Sequence, residues 1–272
     1  MRTRVATLPL AFTAALLVSV PANAQYGSGT YGRATGETYH VEIGGFLWNP
    51  SPDIVISSEG FGLIGSDIDL VEDLQIDQVW QRQLRVVLRP GLKHKFRFEY
   101  TPIKYENPEA VLRRDLVFNG IRFPIAVPVE AEMTWRAFRF GYEWDFLSRD
   151  RGFAGLLLDV KYTDVQASLT NRTDSEFVRA RAPIPAIGFI GRGYVLPNVA
   201  ITGEFSFFKV PSDIDDDYGG KYFDLDIYGT VNFTDNFGAQ GGYRSFDVFY
   251  KIEEDEGNLQ LKGFYFGGLV RF

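Results

Sequence analysis

His40 and His94 are the only imidazoles in this 272-residue chain, and it contains no cysteine. General-base and nucleophile-activating chemistry leans on a His beside an acid or a hydroxyl, so a catalytic reading must pass through one of these two positions. His40 stands two residues before Glu42 and reads as a hydrogen-bonded interior residue. His94 alternates with Phe96, Phe98 and Tyr100 on an apolar face and reads as an interfacial side chain. No catalytic residue is assigned, and no cofactor or metal is expected. Without Cys, neither a disulfide nor a thiolate metal site can form. Asp213, Asp215 and Asp217 have the every-second spacing that opens a calcium loop. The glycine, however, comes at 219 rather than at the sixth position, and no Glu fills the twelfth. They read as a solvated acidic loop, with a loop cation site as the sharper alternative.

The remaining chemistry is charge in alternation. Lys93, Lys95, Arg97 and Glu99 interleave with His94, Phe96, Phe98 and Tyr100, the period of two that marks a β-strand with one greasy face. Four charges on one face of a strand are tolerated only where that face is wet or ion-paired. The same period recurs along the chain. It places Glu42, Arg85, Arg89, Lys93, Lys95, Arg97, Glu99, Glu130, Glu132, Arg136, Arg139, Glu143, Asp159, Lys161, Glu204, Asp224, Asp226 and Arg244 on inward faces. The mixture of signs predicts pairing.

The last stretch, Leu259 to Phe272, sets Phe264, Phe266, Gly268 and Val270 against Gly263, Tyr265, Gly267, Leu269 and Arg271, and stops on Phe272. It resembles the final strand of Gram-negative outer-membrane β-barrels, in which Phe264, Phe266, Val270 and Phe272 would be the signal read by the assembly machinery. The resemblance is to the superfamily, as a pattern over the mature chain. It implies short periplasmic turns, long extracellular loops, and outer-membrane lipid and lipopolysaccharide as surroundings. Arg2 and Arg4, an apolar run from Val5 to Val20 and Ala22-Asn23-Ala24 read as a signal peptide over 1–24 cleaved after Ala24. Beyond Gln25 no apolar run reaches the roughly 18–20 residues of a membrane helix, and only a closed barrel otherwise satisfies its backbone in lipid.

The expected architecture is therefore all-β: a mobile lead at 25–37, then a closed antiparallel transmembrane barrel over 38–272. About ten strands are expected, with eight as an alternative and twelve if 49–78 adds a membrane hairpin. Outer loops fall at 49–78, 105–125, 171–182 and 211–221, and Asn119-Gly120 predicts a small hairpin in the second. Tyr39 is read outward with Val41, Ile43 and Leu47. Apolar parity flips near Ala137 and again near Asp164, which predicts a β-bulge at each. The composition includes 24 Phe, 14 Tyr and 4 Trp. The net charge of −7, or −9 without Arg2 and Arg4, argues against nucleic acid. A barrel this narrow is filled by its own side chains. The leading expectation is a structural or surface-interaction protein, with a narrow channel second and an outer-membrane enzyme third. Neither the Asp-x-His pair of omptin proteases nor the His-x-Ser pair of lipid A deacylases is present.

Overall fold

The computed structural model describes residues 34–57, 65–210, 218–252 and 255–272. The strands, in chain order, are β1 (Val41–Ser57), β2 (Ile68–Asp69), β3 (Gln81–Gly91), β4 (His94–Val111), β5 (Leu116–Phe118), β6 (Ile121–Phe123) and β7 (Pro128–Arg149). They continue as β8 (Gly152–Thr170), β9 (Ser175–Leu196), β10 (Val199–Lys209), β11 (Tyr218–Asn232), β12 (Phe237–Ile252) and β13 (Asp255–Arg271). Ten of them, all but β2, β5 and β6, form one closed antiparallel barrel, to whose sheet β2 adds beside β1. The barrel closes where β1 pairs β13, from Glu42 opposite Arg271 to Ser57 opposite Glu256. Closure leaves no sheet edge along that seam. Short turns lie at one end of the barrel, at residues 92–93, 150–151, 197–198 and 233–236, and the long connections lie at the other.

A strand needs about 9–11 residues to cross a bilayer, yet β7 and β9 each have 22. The surplus builds a second storey above the first. In the lower storey β8 points Leu158, Val160 and Tyr162 outward and exposed, while Asp159 and Lys161 are buried inside. In the upper storey of the same strand the buried residues are Val165 and Leu169, and Asp164, Gln166 and Ser168 take the outer face. β7 repeats the change, from buried Glu143 and Arg139 below to Trp135, Met133, Ala131 and Val129 above. An apolar outer band with a charged interior thus gives way to a polar exterior around an apolar core. That core gathers Trp48, Ile54, Tyr105, Trp135, Leu259 and Leu261, and each such large side chain contributes about 1.5–3 kcal/mol by burial.

The storey change corrects the expected bulges. β7 and β8 stay in register without interruption from Glu130 opposite Thr170 to Trp144 opposite Leu156, and the first irregularity lies between Trp144 and Leu147. The backbone is regular at Ala137 and Asp164; what inverts there is the medium on both sides of the wall. Much of the expected outer loops is strand for the same reason, including 49–57, 105–111 and 175–182. The barrel has ten crossing strands, and β2 is a two-residue addition to the top of β1.

Above the upper core lie residues 65–78 and the β5–β6 hairpin. Its turn at Asn119 and Gly120 has φ of 48° and 78°, the positive values that Asn-Gly supplies at low cost. Leu116, Phe118 and Phe123 of the hairpin and Ile68, Leu70 and Leu74 of the longer segment are all buried. Ser66 N–H donates to Val117 O at 2.9 Å, and Arg114 holds Asp73 through Nε at 2.9 Å and Nη2 at 2.6 Å. The Arg114 hydrogen bonds lower the Asp73 pKa below its ordinary 3.8. A lowered carboxylate pKa stabilises the fold above the unfolded value and loses that contribution as pH falls through the folded one. Protection of the Ser66 and Val117 amides, corrected for intrinsic exchange, is accordingly expected to drop as pH falls below 3.8. Asp73→Asn should weaken it at neutral pH and flatten its acid dependence. Protection indifferent to both would remove the pair from the account.

Candidate functional site

The lower storey holds the densest chemistry. Because inward positions alternate strictly, long charged side chains from opposite walls reach one another across a narrow lumen. Arg97 on β4 holds Glu143 on β7 and Glu204 on β10, each at 2.7 Å. Arg139 holds the other Glu204 oxygen at 2.6 Å and Asp159 at 2.9 Å. Arg244 on β12 pairs with Glu99, and bonds Asp224 through Nε at 3.1 Å and Nη2 at 3.0 Å. Lys161 joins Asp224 at 2.7 Å. Arg85 reaches Glu99 at 3.4 Å and Asp226 at 3.0 Å, and the Tyr265 hydroxyl donates to Asp226 at 2.9 Å. Below them Lys95 bridges Glu143 at 2.5 Å and Asp145 at 2.9 Å.

The short-turn end is closed by residues 34–40. Glu37 accepts from Arg192 at 3.0 Å and from the Tyr194 hydroxyl at 2.7 Å, and pairs with Arg89 at 3.3 Å. Arg271 pairs with Glu42 at 2.7 Å and donates to Asn232 at 2.6 Å. Thr35 O accepts from Asn232 Nδ2 at 2.6 Å, and Gly36 N–H donates to Asp235 at 2.8 Å. Gly36 turns here with φ of 82°, and a Cβ on it would strike Arg271. Residues 34–37 are therefore a folded plug at the mouth, a correction to the expected mobile lead. Residues 25–33 of that lead lie outside the described residues.

Among the described residues, nine cations and nine carboxylates meet in this interior network, so the lumen carries no surplus sign. The void bounded by Glu99, Arg139, Lys161, Tyr222 and Arg244 measures about 10 Å³, at or below what one water needs. Rings complete the packing, with Arg244 4.3 Å from the Phe246 centroid and Lys161 4.4 Å from that of Tyr222.

Of the residues assigned inward from sequence, Glu42, Arg85, Arg89, Lys95, Arg97, Glu99, Arg139, Glu143, Asp159, Lys161, Glu204, Asp224, Asp226 and Arg244 are buried. Four are corrected. Lys93 is exposed at the β3–β4 turn, and Glu130, Glu132 and Arg136 lie on the outer wall of the upper storey, where Glu132 pairs with Lys104 at 3.2 Å. Tyr39 is inside rather than outside, its ring 5.3 Å from the guanidinium of both Arg89 and Arg271. His40 is exposed, its ring against Arg89 O at 3.3 Å. His94 is on the outer wall, with Nδ1 2.6 Å from the Tyr142 hydroxyl. Phe264, Phe266 and Phe272 point outward and exposed, and Val270 shares their face. Asp213, Asp215 and Asp217 lie outside the described residues. Sequence reasoning missed Glu37, Asp145, Arg192 and Arg271. Arg192 follows the parity of the inward Ile190, Asp145 that of Glu143, and Arg271 that of Leu269, so the alternation carried the signal for all three.

No family model matches this sequence, and no curated protein is similar to it. Solved structures are similar in shape. The outer-membrane protease OmpT of Escherichia coli superposes with a TM-score of 0.57 at 9% identity, covering 90% of this chain and 100% of that one. The attachment invasion locus protein Ail of Yersinia pestis gives 0.39 at 8% identity over 84% and 99%. The toluene transporter TodX of Pseudomonas putida gives 0.36 at 7% over 86% and 90%. This chain has the fold of an outer-membrane β-barrel.

Proposed function

We propose that this chain is a non-conducting integral outer-membrane protein that works through the storey standing outside the membrane. The observation that carries this reading is the ion-paired lumen, which crosses the barrel from wall to wall around a void of about 10 Å³. Opposite charges held at these distances in a low-dielectric interior form a rigid partition, because separating any one pair strands a buried charge. The outer band of Leu158, Val160, Ile187, Phe205 and Phe264 supports seating in a bilayer. The leader at 1–24 fits export, and the outward phenylalanines of β13 fit recognition by the barrel assembly machinery. Exposed Arg113 and Arg122 of the cap suit the phosphates of surrounding lipopolysaccharide. A non-enzymatic role is supported by the two histidines, which are both exposed near the short-turn end, far along the barrel from the β5–β6 hairpin.

Planar-bilayer recording of the refolded protein tests the reading, with folding verified by heat-modifiable gel mobility. Folded protein is expected to stay electrically silent. Reproducible current steps whose ion selectivity shifts on charge reversal at Arg97 would make it a narrow channel instead.

A further inference from the structure

Among the described residues, the upper wall has a break. β10 stops at Lys209, and its ladder with β9 ends at Phe207 opposite Ile187, so among the described residues Ser175–Ala186 of β9 pair with β8 alone. Across the break, Gly220 O still accepts from Val210 N–H at 2.8 Å, and among the described residues Tyr218 and Gly219 of β11 pair only with β12. Pro183 and Pro185 stand in this unaccompanied part of β9, opposite Tyr162 and Val160. A proline cannot donate to a ladder and is confined to strand edges. Two prolines of the same parity lose their donors on the same side. The pair thus fits an edge that has no neighbour among the described residues. The break begins level with the outward Val160 and Tyr162, the top of the apolar outer band.

Directly inside it is a cavity of about 280 Å³, lined chiefly by apolar side chains including Trp135, Val165, Ala180, Ala182, Phe208 and Val248. The small inward residues Ala180 and Ala182 create the space. Trp135 is fully buried and forms part of the cavity wall. Arg181 and Lys221 also line the cavity; Arg181 shares Asp164 with Arg179, and Lys221 pairs with Asp247 at 3.3 Å. Both cations are about half exposed, so water already solvates them and the buried part of the lining is apolar.

We infer that this cavity binds a small uncharged apolar molecule that enters through the wall at the outer membrane surface. A cavity of ~150 Å³ holds benzene, so the volume here suits a body of about ten to twelve carbons. That chemistry has two sources, a free hydrocarbon-like molecule and the acyl chain of a membrane lipid. The site is independent of whether the lumen conducts.

The test uses the full chain in lipid nanodiscs with Trp135 as its one tryptophan, through Trp48→Phe, Trp80→Phe and Trp144→Phe. The probe is 1-bromodecane, whose bromine quenches indole fluorescence on contact. Saturable quenching is expected, and it should be lost when Ala180→Phe and Ala182→Phe fill the cavity. Unsaturable quenching, or quenching that survives the filling pair, overturns the site. Nanodiscs of phospholipid brominated on the acyl chain, without free probe, separate the sources: quenching there assigns the cavity to membrane lipid, and quenching by free bromodecane alone assigns it to a free molecule. Should the single-tryptophan protein not fold, wild-type crystals soaked with 1-bromodecane must show a bromine anomalous peak beside Trp135 and Phe208. A cavity without one would sink the proposal.

Discussion

Arg244→Met is expected to destabilise the folded barrel by about 3–5 kcal/mol. Arg244 is 1% exposed and is the side chain through which β12 holds both Glu99 of β4 and Asp224 of β11. Methionine has comparable bulk, so the loss is electrostatic rather than a cavity. Glu99 would keep only Arg85 at 3.4 Å and Arg139 at 3.9 Å, and Asp224 would keep Lys161. A carboxylate buried with fewer partners either stays charged at a cost or takes up a proton, and both routes lower stability. Adding Glu99→Gln should return about 0.5–3 kcal/mol, since the stranded charge is then removed and the two sites share one network. Urea unfolding in detergent micelles, followed by tryptophan fluorescence, measures both numbers. A loss below about 1 kcal/mol for the single variant would mean that the lumen is wet enough to screen its charges, as in a channel.

The second large effect tests the two-storey barrel itself. Met133→Lys is expected to cost about 3–5 kcal/mol, because it places an unpaired ammonium in the upper core among Trp135, Val129 and Leu169. Its neighbour Glu132 lies on the outer wall, with 39% of its side chain accessible, and Glu132→Gln should stay within about 0.5 kcal/mol. A bulge at Ala137 would require the opposite order, with Glu132 inside a charged lumen and Met133 facing out. The same unfolding assay decides between them, and a tolerated Met133→Lys would restore the bulge.

These two variants also separate what could be read along the chain from what could not. In β3, β10, β11, β12 and β13 the alternation identified the buried face, because through most of their length those strands carry polar or charged side chains inside and apolar ones outside. In β7 and β8 the same rule failed. Alternation reports which parity is apolar, and it is silent on whether the apolar side faces lipid or a core. Where a strand leaves the bilayer, water replaces lipid outside and an apolar core replaces the ion pairs inside, so the apolar parity inverts on an unbroken backbone. Glu130, Glu132 and Arg136 were misplaced for that one reason. Tyr39 failed differently: it precedes β1, in the segment that folds back across the mouth, where strand parity no longer applies.

By itself the sequence determined the all-β class, the closure into about ten strands, the Asn119-Gly120 hairpin and an interior of mixed charge, since each follows from local periodicity or turn chemistry. Only the tertiary structure decided which charges meet. Arg97 and Glu204 lie 107 residues apart, and Arg271 and Glu42 229 apart. Their pairing depends on strand order and stagger around a closed wall, quantities that no single strand encodes. The height of the wall, its break above Ile187 and the cavity behind that break are likewise properties of neighbouring strands of unequal length. They exist only once β9 and β10 lie side by side and one outruns the other.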